Sequence, residues 1–151
     1  MFGIRVSTPA VTNDEGWPHA GGVLTLGDTS LRFIVDLSSW QIADYEQQWR
    51  SAINRLAHGT TSSALMIAYR GPDAESHQMW TLWRDDDYVY VQEQVILPAE
   101  LDEPFDPACP YAHVGVRLDP VECGLPIPEW RVGLLHLLAA AFGFRWPLHP
   151  H

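Results

Sequence analysis

The first clear pattern in the chain is a helical one, between residues 42 and 57. Apolar side chains recur there at three- and four-residue steps, at Ile42, Tyr45, Trp49, Ala52, Ile53 and Leu56. Polar side chains fill the positions between them, which predicts an amphipathic helix over about four turns. Gly59 follows the last apolar position and can adopt the left-handed conformation that often ends a helix. An Ala- and Leu-rich run predicts a second, short helix at about 134–142.

Most of the remaining chain has the pattern of strands. Residues 23–26 and 31–37 are joined by the turn sequence Gly27–Ser30, which predicts a hairpin. The other predicted strands are rich in aromatic and β-branched residues or are bounded by turn residues. They cover residues 4–6, 63–69, 79–84, 88–97, 112–118 and 127–132. Because single helices separate runs of strands that hairpin turns can join, the sequence predicts an α+β fold with a mainly antiparallel sheet.

The length of the chain limits the number of domains. With 151 residues, of which 46% are hydrophobic, the chain can build one core but not two comfortable ones. We therefore expect residues 1–151 to form a single domain. No apolar run approaches the roughly 18–20 residues that cross a bilayer, and the first ten residues lack the pattern of a signal peptide. These features predict a cytoplasmic protein without a membrane partner.

The charge is strongly negative and unevenly distributed. The chain has 19 acidic residues against 9 basic ones, all of them Arg, for a formal net charge of -10. Such a surface repels phosphate backbones, so nucleic acid is disfavoured as a partner. Residues 73–129 contain thirteen acids and only two Arg, Arg84 and Arg117, so the entire excess lies in the middle of the chain.

Catalytic and metal-binding motifs do not stand out in this sequence. The seven His residues are scattered without an HExxH-type spacing, and neither a Gly-x-Ser-x-Gly motif nor a phosphate-binding loop is present. Cys109 and Cys123 are too few for a disulfide scaffold and are expected to be free thiols. The sequence therefore predicts no enzyme, no metal and no cofactor. One alternative stays open, a small-ligand hydrolase-type enzyme in which His77 or His113 works beside a carboxylate.

The distinctive feature of the middle region is the combination of acidic and aromatic residues. Interfaces that bind a cationic protein combine aromatic anchors with opposing charge, so this region is a candidate receptor for a basic protein surface. The substrate groove of a nuclease is one such surface. The other interpretation is a solvated hairpin tip with aromatic side chains in the core. The candidate contact residues are Asp85, Asp86, Asp87, Glu93, Asp102, Glu103 and Asp106, with Trp83, Tyr88 and Tyr111 as anchors.

Several segments of the chain also resemble a known family. Residues 40–50, Trp-Gln-Ile-Ala-Asp-Tyr-Glu-Gln-Gln-Trp-Arg, and residues 89–94, Val-Tyr-Val-Gln-Glu-Gln, resemble CdiI-like immunity proteins of bacterial contact-dependent growth inhibition systems. The similarity extends over about residues 34–132 and includes Phe105-Asp106-Pro107 and Glu129-Trp130. Pro128 departs from the family pattern, which carries a serine there. The resemblance implies a small cytoplasmic protein that binds the toxic C-terminal domain of a delivered effector, commonly a nuclease, and blocks it without chemistry.

Together, these observations predict a non-catalytic inhibitor. We expect the seven acidic residues and three aromatic anchors given above to face a basic toxin domain, a nuclease, and the free protein to be a monomer. Opposite charge should accelerate association at low salt. A structural homo-oligomer is a third possibility that the sequence leaves open.

Overall fold

The computed structural model describes residues 2–12, 16–124 and 126–143, with backbone alone at 122–123 and 140–143. In this part of the chain the first sheet consists of β1 (Phe2–Val6), β2 (Val11–Thr12), β3 (Pro18–Leu26) and β4 (Thr29–Asp36). All pairings are antiparallel, with β4 along one edge of β3 and β1 and β2 along the other. The predicted hairpin is confirmed, because β3 and β4 meet at a tight turn where Gly27 has a φ of +64°.

The second sheet follows helix α1 (Ile42–Ala57) and has the order β5–β6–β7–β8, again entirely antiparallel. Its strands are β5 (Ser62–Ala68), β6 (His77–Asp85), β7 (Tyr88–Ile96) and β8 (Glu129–Gly133). The chain continues into α3 (Leu134–Gly143), after a single-turn helix α2 (Pro120–Cys123) that precedes β8. The α+β class, the mainly antiparallel pairing and both predicted helices are thus confirmed. None of the described helices is long and apolar enough to span a membrane.

Helix α1 takes the place of a neighbouring strand along the free edge of β5. The side-chain amide of Gln48 donates to the carbonyl of Ala64 (2.8 Å) and accepts from the N–H of Met66 (2.8 Å). At the next position of the helix, the indole of Trp49 donates to the carbonyl of Met66 (2.7 Å). The Tyr45 hydroxyl accepts from the backbone N–H just beyond the strand. Buried backbone groups that no strand pairs are therefore satisfied by side chains at helical spacing.

Gly22 lets the first sheet pack closely against this helix. It lies opposite Phe33 in the β3–β4 register, and a Cβ atom at position 22 would lie 2.5 Å from the Phe33 ring. That ring meets the Trp49 indole edge-on, with centroids 6.0 Å apart. The absence of a side chain at position 22 thus makes room for the contact between sheet and helix.

We expect Gly22→Ala to destabilise the fold by about 1–3 kcal/mol, because the added methyl group must displace an aromatic ring in a packed region. Urea unfolding measures the change. Gly3→Ala is the matched control, since Gly3 lies on β1 with no atom within 4 Å of an added Cβ. Equal stabilities of the two variants would contradict the packing role of Gly22.

The prediction of a strand at residues 112–118 is wrong. Pro110–His113 form a 3₁₀ turn, and residues 114–118 lie across one face of the second sheet without pairing in its ladder. Two of their carbonyl groups, those of Gly115 and Leu118, accept from side chains of β6 and β7 instead of from a neighbouring strand. The predicted strand at 127–132 does form, but it begins at Glu129.

Candidate protein-binding surface

Three aspartates occupy the tip of the β6–β7 hairpin. Asp85 ends β6 opposite Tyr88 of β7, and Asp86 adopts a φ of +50°, a conformation that Asp tolerates better than most residues. All three carboxylates of Asp85, Asp86 and Asp87 are exposed, and none forms an ion pair with another described residue. The tip is anchored behind them, where the carbonyl of Asp87 accepts from the N–H of Leu134 (2.7 Å). The turn therefore presents to solvent three carboxylates that are not ion-paired with any residue in the described part of the chain.

Beside the tip, residues 114–118 form a segment that we call the strap. Trp83 donates from its indole Nε1 to the carbonyl of Gly115 (3.0 Å), and Gln92 donates from Nε2 to the carbonyl of Leu118 (2.9 Å). Val116, between these two attachment points, is 91% exposed, and Leu118, at the second of them, is 55% exposed. The strap thus holds apolar side chains out in solvent on a backbone that the sheet fixes.

Arg117 holds the strap through its side chain. Its Nε donates to Oε2 of Glu129 (2.7 Å), its Nη2 donates to Oε1, and Gln92 donates to the same Oε2 (2.7 Å). The guanidinium lies over the ring of Tyr90, 3.8 Å from its centroid. The hydrogen bond to Glu129 raises the pKa of Arg117. The charge of this cation is therefore taken up by Glu129 and not by the hairpin tip.

A shallow depression of about 560 Å³ connects the tip to the strap. Its lining includes Trp83 and Asp85 of β6, Tyr90 of β7, and Val116 and Arg117 of the strap. Aromatic, acidic and apolar groups are therefore adjacent on one open surface. This combination is typical of protein-binding surfaces.

Comparisons with known proteins identify the fold. A family model described as the CdiI N-terminal domain matches residues 35–140 of this chain. The chain belongs to the CdiI family. The immunity protein CdiI of Enterobacter cloacae subsp. cloacae is 28% identical over 139 residues, which cover 91% of this chain and 94% of that protein. One chain of the solved CdiA-CT/CdiI toxin and immunity complex from Enterobacter cloacae is 26% identical, with a TM-score of 0.84 over 95% of this chain and 98% of that one.

The resemblance predicted from the sequence is thus confirmed, and the protein is a CdiI-like immunity protein. The matched segment of the CdiI family contains the strap and every acidic and aromatic residue that the sequence singled out. Within it, the structure brings together Trp83, Asp85, Asp86, Asp87 and Tyr88. Tyr88 is 42% exposed, and Arg131 of β8 covers one face of its ring at 4.2 Å from the centroid.

The other acidic residues that were predicted to contact the toxin do not lie at the hairpin tip of this CdiI protein. Phe105 stacks on His77, at the opposite end of β6 from the hairpin tip. The two ends are eight residue steps apart along the strand, a distance of about 26 Å. Asp102, Glu103 and Asp106 therefore lie far from Asp85, and only Glu93 has an intermediate position along β7. The predicted acidic set divides into separate groups.

Tyr111 lies apart from the hairpin tip, against helix α1. The guanidinium of Arg55 on α1 lies 3.7 Å from the centroid of its ring and covers one face, and its role as an anchor stays a prediction. Tyr90, Val116 and Arg117 line the depression beside the tip but were not predicted as contacts. The prolines at positions 110 and 120 were the available signal that residues 114–118 were irregular.

His77, named in the enzyme alternative, is a core residue. It is 1% exposed, its Nδ1 accepts from the backbone N–H of Arg70 (3.2 Å), and its ring lies against Tyr69 and Phe105. His113 packs its ring on the same Phe105, with centroids 5.4 Å apart. Burial, followed by the positive charge of Arg70, lowers the pKa of His77. In the described part of the chain, no three His, Cys, Asp or Glu side chains are arranged to hold a metal ion.

The lowered pKa of His77 predicts that the folded state loses stability at mildly acidic pH. The unfolded chain binds a proton near the ordinary His pKa of about 6.5 and the folded chain does not, so the free energy of unfolding falls as the pH drops below about 7. Chemical unfolding between neutral and mildly acidic pH measures this slope. His77→Gln should flatten it. A slope as steep in this variant as in the wild type would contradict the role of His77.

Cys109 is a free thiol, as the sequence predicted. The side chain of Cys123 lies outside the described residues, and its predicted free state stays a prediction.

Proposed function

We propose that this CdiI family member binds a cognate toxin domain through the hairpin tip and the strap, and neutralises it without chemistry of its own. The observation that carries the proposal is the exposed set Asp85–Asp87, which has no ion pair within residues 2–12, 16–124 and 126–143, beside the exposed Val116. The similarity to a chain solved as part of a toxin and immunity complex supports a toxin as the partner.

The charge of this surface favours a basic toxin. The net charge of the chain is -10, and Arg117 is paired with Glu129 instead of offsetting the tip. Opposite charge accelerates encounter and selects the partner, while contributing less to the strength of the final complex. We infer that the toxin is a nuclease, since a groove that binds phosphates must be basic. Carboxylates at its phosphate subsites would exclude the nucleic acid.

The apolar strap accounts for the lifetime of the complex. Exposed apolar patches with aromatic neighbours form the centres of interfaces, where exclusion of water provides most of the affinity. Val116 projects from a strap that is already held in place, so its burial requires little additional ordering. We therefore propose that the acidic tip accelerates association with the toxin and that the apolar strap slows its dissociation.

If the immunity protein inhibits the toxin by covering its substrate groove, one immunity protein is needed for each toxin. We expect the free chain to be a monomer in the cytoplasm, where the delivered toxin would act, and light scattering of the isolated chain distinguishes it from a homo-oligomer. The small-ligand enzyme is the second candidate. It gains no support from His77, whose ring is buried between two aromatic side chains.

The decisive experiment uses the toxin domain encoded in the neighbouring reading frame. Co-expression of this chain should restore growth of cells that produce the toxin, and the purified proteins should associate more slowly as salt increases. Unrestored growth and absent binding would overturn the function. If the proteins bind but the association rate does not depend on salt, the proposed electrostatic attraction is wrong.

The strap contribution is tested by Val116→Ala. We expect the complex to dissociate about five to thirty times faster, a loss of about 1–2 kcal/mol, with little change in the association rate. Surface plasmon resonance separates the two rates. Val11→Ala, at a 50% exposed Val on β2 in the other sheet, is the matched control and should behave as the wild type. Equal dissociation rates for the two variants would remove the strap from the interface.

A further inference from the structure

A second concave site lies between the two sheets, away from the hairpin tip. It is a cleft of about 510 Å³ whose lining includes five consecutive residues of β4, Ser30 to Ile34. The other wall comes from the second sheet and includes Trp80 of β6, Glu93 of β7 and Trp130 of β8. Its volume and its aromatic lining with a few polar groups are typical of a binding site.

Trp80 contributes a buried donor without an acceptor. Its side chain is 3% exposed, and its Nε1 has no hydrogen-bond partner in the described structure. Its ring meets Trp130 edge-on, with centroids 5.6 Å apart. Buried indole N–H groups normally have a partner, since an unmade hydrogen bond in the interior is costly. An acceptor supplied by a ligand in the cleft would satisfy this group.

Two charged residues of opposite sign border the same cleft from different sheets. Arg32 and Glu93 are both exposed, and neither has a hydrogen bond or ion pair with another described residue. Arg70, which also lines the cleft, differs from them because it is held by Asp36 (3.7 Å) and Ser76 (3.1 Å). Among the described residues that line it, the cleft therefore offers one cation and one anion that have no ion pair, on strands of two different sheets.

The strand on the first wall has a free edge. β4 pairs with β3 along one side, and no described strand pairs with its other side. Alternate residues of a strand point to opposite faces, so a lining of five consecutive residues means that the backbone edge itself borders the cleft. Such an edge carries N–H and C=O groups that can bind an extended chain.

We infer that this cleft binds an extended segment of the toxin, an inference that rests on the proposed function. The segment would pair its backbone with β4, offer a carbonyl to the Trp80 indole, and place a basic side chain against Glu93. Arg32 would take a carboxylate of the same segment. A small molecule would leave the edge of β4 unpaired, so a polypeptide is the occupant that uses every free group.

The cleft and the strap lie on opposite faces of the second sheet. Gln92, which binds the strap, and Glu93, which borders the cleft, are neighbours on β7, and successive side chains of a strand point to opposite faces. β8 pairs with β7 only as far as Gln92, so no described strand covers the edge of β7 beside Glu93. A toxin domain bound at the tip and the strap would therefore reach the cleft with a segment that passes round this edge.

Charge reversal at the two free residues tests the inference with the purified toxin domain. Arg32→Glu and Glu93→Arg should each weaken its affinity about ten-fold, the effect expected when one partner of a close charge pair is lost. Arg5→Glu and Glu100→Arg are matched controls, because they make the same charge changes at exposed positions outside the cleft. Comparison with these controls separates local contact from the change in net charge.

The indole signal of Trp80 in ¹⁵N NMR spectra provides a readout that needs no variant in the complex. On addition of toxin it should move downfield as the N–H gains an acceptor. The inference would be overturned if the charge-reversal variants bound the toxin as tightly as their controls, or if the Trp80 signal did not move. Binding of the toxin by the wild type would still support the proposed function in that case. A signal that moves with the concentration of this chain alone would identify a second copy as the occupant and overturn the toxin assignment. Loss of all binding by the wild type would end both.

Discussion

Replacement of Asp85, Asp86 and Asp87 together by Asn slows association with the toxin domain by about ten- to a hundred-fold at low salt, if the hairpin tip steers the encounter. Each carboxylate is exposed and lacks an ion pair with another described residue, so its field extends into solvent. Asn preserves the shape of the turn and tolerates the positive φ of position 86. The rates of variant and wild type should converge as salt rises, in stopped-flow measurements over a salt series.

The matched control changes the same number of charges at the other end of β6. Asp102→Asn, Glu103→Gln and Asp106→Asn, combined in one protein, raise the net charge by the same three units. If only the tip variant slows association, the tip faces the toxin. If the control variant slows it more, the toxin approaches the other group of acids. Equal rates for the tip variant and wild type would assign the three aspartates to a solvated turn.

Gln48→Leu is expected to have the largest effect on stability. The leucine has a similar size and is more hydrophobic, but it leaves the carbonyl of Ala64 and the N–H of Met66 without partners. An unsatisfied buried polar group costs about 1–3 kcal/mol, so we expect a loss of roughly 2–5 kcal/mol for the pair. Urea unfolding measures this loss.

The neighbouring position provides the control for that substitution. Gln47 lies on the exposed side of α1, so Gln47→Leu should change stability by about 0.5 kcal/mol or less. A Gln48→Leu variant as stable as the Gln47→Leu variant would show that the edge of β5 does not depend on the helix side chains. A large loss in Gln48→Leu alone would show that the helix replaces a neighbouring strand.

The parts of the fold that sequence predicted are those with a local cause. The period of apolar residues placed α1 at Ile42–Ala57, and turn residues marked the β3–β4 and β6–β7 hairpins. Burial of Tyr45 and Trp49 followed from their position on one helix face. Asp44, in the first helical turn, accepts from the backbone N–H of Gln41 (2.9 Å), as a carboxylate near a helix N-terminus often does.

The strap was misread because its stability has no local cause. Residues 112–118 have a composition that suits a strand, and nothing in the neighbouring sequence reveals that Trp83 and Gln92 bind their backbone. The Arg117 side chain meets Glu129, twelve residues further on, only because β8 pairs with β7. Side-chain contacts of this kind depend on which strands become neighbours, and a linear pattern does not encode that choice.

The sequence by itself determined the class of the fold, the two helices, the negative charge of the middle region and the likeness to CdiI proteins, since each depends on composition or on spacing along the chain. Only the tertiary structure decided which acids share a surface. It placed Asp85–Asp87 beside the strap, Glu93 at the cleft, and Asp102, Glu103 and Asp106 at the far end of β6. The physical reason is that charges act through space, and sheet pairing sets the distances between residues that are remote in sequence.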